Sequence, residues 1–178
     1  MPQATFFLEA VVCKDEMGGR IREKFGNDEI WMGAIGIDSA GRTIKVPFFE
    51  VYAHFDDGDV KTFSPAKQLV SLRADGSCRV MLFLADKQYG GMNDALDSAH
   101  AEAASTIARM KADGQDPTSE SSKEDLIAIA GEVLKILVKE ARDKVFPAQV
   151  VGLSPNPGVV DFRGHDGHYA ARYHWQLA

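Results

Sequence analysis

The sequence predicts a mainly β fold with an α insertion: an antiparallel β-sandwich of about eight strands that carries an inserted helical hairpin. From residue 5 to about residue 87, apolar residues form short runs separated by turn residues, which is the spacing of strands. Between 94 and 145 the apolar period becomes that of helices, and after Pro147 the strand pattern returns. Strands on both sides of a helix pair indicate that the helices are inserted into one sheet-forming unit.

Length and composition agree with a single domain spanning 1–178. The 178 residues are 45% hydrophobic and 26% charged, which excludes a disordered chain, a collagen and a disulfide scaffold. The net charge of -6 argues against electrostatic binding to a nucleic-acid backbone, so no nucleic-acid partner is expected. The start of the chain has a short apolar run without a basic flank, which predicts neither a signal peptide nor a membrane span. A cytoplasmic location, or secretion without a leader, is the default expectation.

Six strands are expected in the first half of the chain, each rich in β-branched and aromatic residues. They are 6–12, 30–37, 43–52, 60–63, 68–73 and 79–84. Turn segments with glycine separate them at 38–41, 56–58 and 74–76. Because glycine allows the positive φ of a tight reversal, we expect adjacent strands to form antiparallel hairpins.

The first helix is expected over 94–110, where apolar residues at steps of three and four form one stripe. The stripe consists of Leu96, Ala99, Ala103, Ile107 and Met110. Asn93 or Asp94 is expected to cap this helix, and Gly114 is expected to end it.

The second helix is expected to begin after Ser121 or Ser122 and to run to about Val145, with Pro147 as its stop. Its apolar face is wide enough to be buried on more than one side. Packing on the sandwich and on the first helix explains this face most simply. The alternative is that the hairpin is a surface presented to a partner.

The end of the chain predicts two short strands, 149–153 and 159–162, then a turn at 164–167 and a final strand over 168–177. The final strand alternates, with Tyr169, Ala171, Tyr173, Trp175 and Leu177 on one face. We expect this strand to return to the N-terminal strands and complete the sandwich.

Acidic residues flank several of the predicted strands. Asp15 follows the first strand, Asp28 precedes the second, and Asp86 and Asp94 follow the strand that ends at Leu84. Carboxylates from separate loops repel one another unless a cation lies between them, and Ca²⁺ accepts six to eight oxygen ligands. The sequence therefore suggests a calcium site, with ordinary solvated turn residues as the alternative.

Two segments, CKDEMGGRIREKFGNDEIWMGAIGID and LFLADKQYGGMNDAL, resemble the first and third loops of the calcium-and-lipid-binding domain of protein kinase C and the synaptotagmins. The resemblance covers about half of the chain. It implies an eight-stranded sandwich and calcium ligands at the matching positions, which are Asp15, Asp28, Asp86 and Asp94. The chain departs from the pattern at Glu29, Trp31 and Gln88, and the helical hairpin is foreign to it.

Other residues offer weaker hints of chemistry. His165 and His168 flank a turn with Asp166, so they can converge on zinc or act as a base, although separate surface histidines are the alternative. The acidic turn at 56–59 is either a second cation site or an ordinary turn. Cys13 and Cys78 fit no metal pattern and are expected to be half-buried thiols.

The predicted function is a non-enzymatic binding module that presents acidic, calcium-binding loops and a helical hairpin to a membrane or protein partner. A subunit of a secreted toxin or host-interaction system is one such role. The first alternative is a small metal-dependent hydrolase with its site among His165, Asp166, His168 and the loop acids. The second alternative is a self-assembling homo-oligomeric subunit with the apolar helices as its contact surface.

Overall fold

Two antiparallel sheets face each other in the computed structural model, and the described strands confirm the predicted sandwich with its helical insertion. The structure describes residues 2–17, 28–74, 76–87 and 90–178. Its strands are β1 (Gln3–Asp15), β2 (Asp28–Asp38), β3 (Thr43–Phe55), β4 (Val60–Arg73), β5 (Cys78–Asp86), β6 (Lys144–Val145), β7 (Gln149–Gly152), β8 (Gly158–Gly164) and β9 (Gly167–Leu177). Sheet A has the order β4-β1-β9-β8, whereas in sheet B the order is β3-β2-β5 and both β6 and β7 pair with β5.

The first and last strands lie side by side in the middle of sheet A, as the sequence predicts. β1 and β9 are antiparallel, with Phe6 opposite Trp175 and Cys13 opposite Tyr169. The alternating aromatic face of β9 points into the core between the two sheets, where Tyr169 is fully buried. Burial of this face fixes the register, because a slip by one residue would turn the whole face outward.

A helical layer covers the outer face of sheet B. It consists of α1 (Met92–Ala112) and α2 (Lys123–Ala141), joined by a loop that includes a short 3-10 helix, Glu120–Ser122. Met81 and Phe83 of β5 face the helices, whereas Leu82 and Leu84 face sheet A. Every residue of β5 is therefore buried, which explains why residues 80–85 are continuously apolar rather than alternating.

The connections of β4 differ from the prediction. The runs 60–63 and 68–73 form one strand, β4, and register shifts against β1 accommodate its irregular middle. The turns at 56–58 and 74–76 do not close hairpins, because β4 belongs to sheet A while β3 and β5 belong to sheet B. Asp75 of the second turn lies outside the described residues. The turn at 38–41 does close a hairpin between β2 and β3, with Gly41 at φ 78°.

The helix bounds also shift slightly. α1 begins at Met92, after Gly91 at φ 95°, and Asn93 does not cap it but accepts a hydrogen bond from the Phe48 backbone N–H at 2.7 Å. Gly114 ends α1 as predicted, since its N–H donates to the Lys111 carbonyl.

The second helix ends at Ala141, earlier than the predicted end near residue 145. The reason is local: Arg142 adopts a left-handed φ of 58°, and the following residues pair with β5 as the short strand β6. In β6 the backbone N–H and C=O groups form their hydrogen bonds with β5, whereas in a longer helix they would form them within the helix.

The loop between the helices is held to sheet B by a buried arginine. Arg79 of β5 is 4% exposed, and its guanidinium donates to the Thr118 carbonyl at 2.8 Å and to the Ser119 carbonyl at 3.2 Å. It also pairs with Glu120 at 2.6 Å, and this hydrogen bond lowers the pKa of the Glu120 carboxyl. Arg79 thus fixes the far end of the helical hairpin to the sandwich.

Candidate functional site

One end of the sandwich collects the ends of strands from both sheets. This loop end consists of residues 15–17, 28–29, 55–59, 86–87 and 164–168. The pairing of Asp15 with His168, of Asp28 with Phe55 and of Ile30 with Asp86 places these segments together. Three of the four predicted calcium ligands, Asp15, Asp28 and Asp86, therefore lie at the same end of the fold.

The predicted ligands nevertheless differ in their surroundings. Asp15 is exposed at the end of β1, whereas Asp28 and Asp86 are each 5% exposed. Asp94 is exposed in the first turn of α1, on the helical side of sheet B, where it lines a small groove with Trp31. The structure thus brings Asp94 to a different layer from the other three aspartates.

Asp28 is part of a buried polar contact between the two sheets. Its Oδ2 accepts hydrogen bonds from the Met17 backbone N–H at 2.7 Å and from the hydroxyl of Tyr169. Tyr169 is fully buried between Phe55 and Phe146, with ring centroids 5.6 Å and 5.5 Å from its own. A buried carboxylate with these donors is satisfied by the protein itself, which gives Asp28 a structural role.

The thiol of Cys13 lies beside this contact and interacts with Tyr169. Burial raises the pKa of the Cys13 thiol to about 12, and burial together with the Asp28 hydrogen bond raises the pKa of Tyr169 well above its ordinary value. Both groups are therefore protonated at neutral pH. Cys78 is also fully buried and forms no disulfide, so both thiols are more deeply buried than the sequence predicts.

The acidic turn at 56–59 uses its carboxylates for backbone hydrogen bonds. Asp57 accepts from the Glu16 N–H at 2.7 Å, and Asp59 accepts from the Asp56 N–H at 3.0 Å. The first bond fastens the turn to the residues that follow β1, and the second closes the turn itself. They are typical of aspartates that stabilise tight turns.

The histidines of the proposed hydrolase site make separate contacts. His165 Nε2 lies 3.0 Å from the Val145 carbonyl oxygen, and its ring packs against Phe146. His168 instead contacts the carboxylate of Asp161 at 2.6 Å, on the outer face of sheet A. Asp161 also binds Lys14 at 3.0 Å, and these hydrogen bonds, with His168 as the larger cause, lower the pKa of the Asp161 carboxyl.

Within the described ranges, no three His, Cys, Asp or Glu side chains are grouped so that they can hold a metal ion. Gln88, one of the positions where the chain departs from the calcium-binding pattern, lies outside those ranges, as do residues 18–27 of the first loop. Calcium binding at Asp15, Asp28, Asp86 and Asp94 therefore stays a prediction.

A second candidate site is the groove between the two helices. It has a volume of about 460 Å³ and is lined by both α1 and α2. Its apolar lining comes from Ala103, Met110, Ala128, Ile129 and Val133, and its polar lining comes from Glu102, Thr106, Arg109, Gln115, Asp125 and Glu132.

The charges along this groove are predominantly negative. Three carboxylates, Glu102, Asp125 and Glu132, face one guanidinium, Arg109. Arg109 donates to the Thr106 hydroxyl at 3.1 Å, and Glu132 pairs with Lys135 at 2.6 Å outside the groove lining. The groove is thus an apolar trough with an acidic border.

Sequence reasoning did not predict this groove, although a signal for it was present. Glu102, Thr106 and Arg109 on α1, and Asp125, Ala128 and Glu132 on α2, recur at steps of three and four, which puts each set along one face of its helix. What the sequence alone does not give is the relative rotation of the two helices, which turns these faces toward each other.

Comparisons with known proteins return little. No family model matches the chain, and no curated protein matches it. Two structures of human GIVD cytosolic phospholipase A2 in complex with methyl gamma-linolenyl fluorophosphonate, one of them also with terbium chloride, are 8% and 7% identical, with TM-scores of 0.34 and 0.36. They cover 98% and 99% of this chain, which in turn spans only 17% and 18% of those chains.

A structure of Drosophila C2-DSL-EGF1 is 7% identical over 99% of this chain and 67% of that chain, with a TM-score of 0.37. Similarities this low carry no argument about function. Among the described residues, no helix combines the length and the hydropathy that a membrane crossing requires.

Proposed function

We propose that the protein is a non-enzymatic binding module whose helical hairpin receives a basic, amphipathic segment of a partner protein. The observation that supports this proposal is the groove between α1 and α2, with its apolar floor and acidic border. An amphipathic helix that lies in an apolar groove is a common mode of peptide recognition.

The chemistry of the groove selects the partner. Ala128 is exposed, and Met110 and Ile129 are each 8% exposed, so together they offer a narrow apolar strip on which a partner buries Leu- or Met-type side chains. Glu102 and Glu132 lie on opposite helices, so Lys or Arg on either side of a bound helix meets a carboxylate. Because the helices pack on sheet B through a fully buried core, the groove is already formed before the partner binds.

A protein partner fits better than a lipid surface on electrostatic grounds. Cytoplasmic membrane leaflets carry negative potential, and the chain has a net charge of -6 with carboxylates along the groove. The groove would therefore be repelled by anionic lipid. A basic segment, by contrast, is attracted over the distance of a Debye length.

A synthetic peptide tests this proposal. A peptide of about four helical turns, with leucines along one face and lysines beside them, is expected to bind in the micromolar range by fluorescence anisotropy. Glu102→Lys and Glu132→Lys are each expected to weaken binding roughly 3- to 10-fold, because each reversal replaces an attraction with a repulsion. Added salt is expected to weaken binding to the unmodified protein.

Two controls make the result specific. Glu50→Lys changes the net charge equally but lies exposed on β3, away from the groove, and is expected to leave the affinity nearly unchanged. A peptide with glutamates in place of its lysines is expected not to bind. Equal binding of both peptides, or an equal loss with Glu50→Lys, would contradict the proposal.

A second proposal concerns calcium at the loop end. We propose that Ca²⁺ binds between strand-end carboxylates there and neutralises them, so that the loop end then approaches an anionic lipid surface. The convergence of Asp15, Asp28 and Asp86 at one end of the two sheets favours this idea. Without a cation, the same carboxylates oppose contact with such a surface.

Thermal unfolding in EDTA and in millimolar Ca²⁺ tests this second proposal. For a dissociation constant of about 0.1 mM, about 5 mM Ca²⁺ is expected to stabilise the fold by about 2 kcal/mol, a rise of several degrees in Tm. Asp15→Asn is expected to abolish the rise, whereas Asp113→Asn, exposed just after α1, is expected to keep it. An unchanged Tm in calcium, or a rise that survives Asp15→Asn, would exclude the proposed site.

A further inference from the structure

The most basic stretch of the chain connects β1 to β2 and lies outside the described residues. Its three cationic residues fall within five positions, and no other five-residue window of the sequence contains three lysine or arginine residues. They are Arg20, Arg22 and Lys24. Ile21 and Phe25 add two large apolar side chains four residues apart. Residues 20–25, named the basic segment, therefore have the composition of the partner proposed for the groove between α1 and α2.

The basic segment is attached to the loop end by a short connection. Eleven peptide steps join Met17 to Asp28, and the Met17 N–H donates to the Asp28 carboxylate at 2.7 Å. A chain that leaves one point and returns to it reaches at most half of its extended length, which here is about 20 Å. The basic segment therefore stays within about 20 Å of the loop end.

The groove lies farther than that from the loop end. His100 of α1 contacts the Thr43 hydroxyl at 2.9 Å, and Thr43 is paired with Ile37, which lies nine steps and about 30 Å from the first residue of β2. Lys111, farther along α1, donates to the Ser39 carbonyl at 3.0 Å. The part of α1 that lines the groove lies between these two contacts, at the opposite end of sheet B. The basic segment therefore cannot enter the groove of its own chain.

The groove and the basic segment carry opposite charges. The groove lining has three carboxylates and one guanidinium, a formal charge of -2. The basic segment has three cationic side chains and one carboxylate, a formal charge of +2. Because the whole chain has a net charge of -6, two copies repel each other in most orientations. Attraction favours the orientation that brings the basic segment of one copy to the groove of another.

We propose that the partner received by the groove is a second copy of this chain, whose basic segment binds between α1 and α2. This inference rests on the proposed function, because it uses the same groove and names its partner. Each copy offers a groove at one end and a basic segment at the other, so the contact is head-to-tail. A head-to-tail contact leaves one groove and one basic segment open in a dimer, and association therefore continues to rings or open chains.

A six-residue segment makes a small contact, so the association is weak. Contacts below roughly 1,200 Å² are typical of transient association. The exposed Asp15 and Asp57 also lie at the loop end and compete for the basic residues within each copy. We expect a dissociation constant of about 0.1 to 1 mM, which rises with added salt.

Sedimentation velocity from about 20 µM to about 1 mM tests the proposal by mixing two variants. The segment variant, Arg22→Ala with Lys24→Ala, keeps the groove. The groove variant, Glu102→Lys with Glu132→Lys, changes two exposed side chains and keeps the basic segment. Each variant alone is expected to associate at least roughly 10-fold more weakly than the unmodified protein. Their equimolar mixture is expected to form dimers and nothing larger, because each pair retains one intact contact.

A matched control removes two positive charges elsewhere. Arg163→Ala with Arg172→Ala changes exposed residues on β8 and β9 and is expected to leave association unchanged, while circular dichroism reports that every variant is folded. The proposal is overturned if the unmodified protein is monomeric up to about 1 mM, or if the segment variant associates as strongly as the unmodified protein. A mixture of the two variants that stays monomeric overturns it equally.

Peptide binding separates this inference from the proposed function. The leucine-lysine peptide is expected to bind the segment variant as tightly as the unmodified protein, since both have an intact groove. A peptide of residues 18–27 is expected to bind the unmodified protein and to lose roughly 10-fold in affinity for the groove variant. If the leucine-lysine peptide binds but the 18–27 peptide does not, the second copy is excluded and the proposed function stands. If neither peptide binds, both proposals fail.

Discussion

Replacing Asp28 by alanine is expected to lower the free energy of unfolding by about 3 kcal/mol. The substitution removes the acceptor of two buried donors, the Met17 N–H and the Tyr169 hydroxyl, and no water reaches a fully buried tyrosine to replace it. A buried donor left without an acceptor costs about 1 to 3 kcal/mol, and here there are two. Urea unfolding followed by far-UV circular dichroism measures the change.

A double-mutant cycle identifies the source of this loss. Tyr169→Phe removes one donor and leaves the aromatic packing against Phe55 and Phe146 in place. Combined with Asp28→Ala, it is expected to cost less than the sum of the two single changes, because the orphaned hydroxyl is gone. Additive losses would mean that Asp28 stabilises the fold through other contacts.

The exposed Asp15 serves as the matched control for Asp28. Asp15→Ala removes the same charge at the same end of the sandwich, but from a solvated position, and is expected to change stability by less than about 0.5 kcal/mol. The comparison matters for the calcium proposal. A substitution of Asp28 destabilises the protein with or without a metal, whereas one of Asp15 tests the metal alone.

The sequence predicts those parts of the fold in which one local pattern dominates. The alternation of β9 gives its buried face, and the change of period after residue 94 gives the helical hairpin. Pairing of β9 with β1 is also predictable, because a single unit with strands on both sides of an insertion must rejoin them. In each case burial and local geometry favour the same structure.

The connections around β4 were not predictable from local patterns. A glycine turn such as 56–58 reverses the chain equally well within one sheet or between two sheets. Its sequence specifies the reversal, and tertiary packing decides which strands become neighbours. For the same reason the sequence does not show that 60–63 and 68–73 are one strand, since register shifts against β1 keep it continuous.

The positions of the candidate site residues are also only partly predictable from local sequence patterns. The position of Asp15 and Asp28 at one end follows from the directions of the first two predicted strands, whereas Asp86 joins them only because 60–63 and 68–73 form one strand, which the sequence does not show. The Asp28–Tyr169 contact joins residues 141 apart in the chain, and its partners belong to different sheets. Long-range pairings of this kind depend on how the two sheets face each other, and no local pattern encodes that arrangement.

Replacing Arg79 by methionine is expected to destabilise the protein by about 3 kcal/mol and to loosen the loop between α1 and α2. Methionine keeps most of the apolar volume but donates no hydrogen bond, so the carbonyls of Thr118 and Ser119 lose their guanidinium partner. Thr118 is fully buried, so water does not readily take over that role. Urea unfolding gives the stability change, and hydrogen exchange of 113–122 is expected to rise more than exchange in β1 or β9.

Two control variants separate the backbone contacts of Arg79 from its ion pair. Glu120→Gln keeps the arginine and its two carbonyl contacts, and because Glu120 is exposed, Tm is expected to change little. Arg79→Lys keeps the positive charge but lacks the planar guanidinium group. It is therefore expected to lower the free energy of unfolding by most of the amount that Arg79→Met does. If Glu120→Gln were as damaging as Arg79→Met, the ion pair would hold the loop. The expected order, in which Arg79→Met is the more damaging change, would instead show that the hydrogen bonds from Arg79 to the Thr118 and Ser119 carbonyls hold the loop.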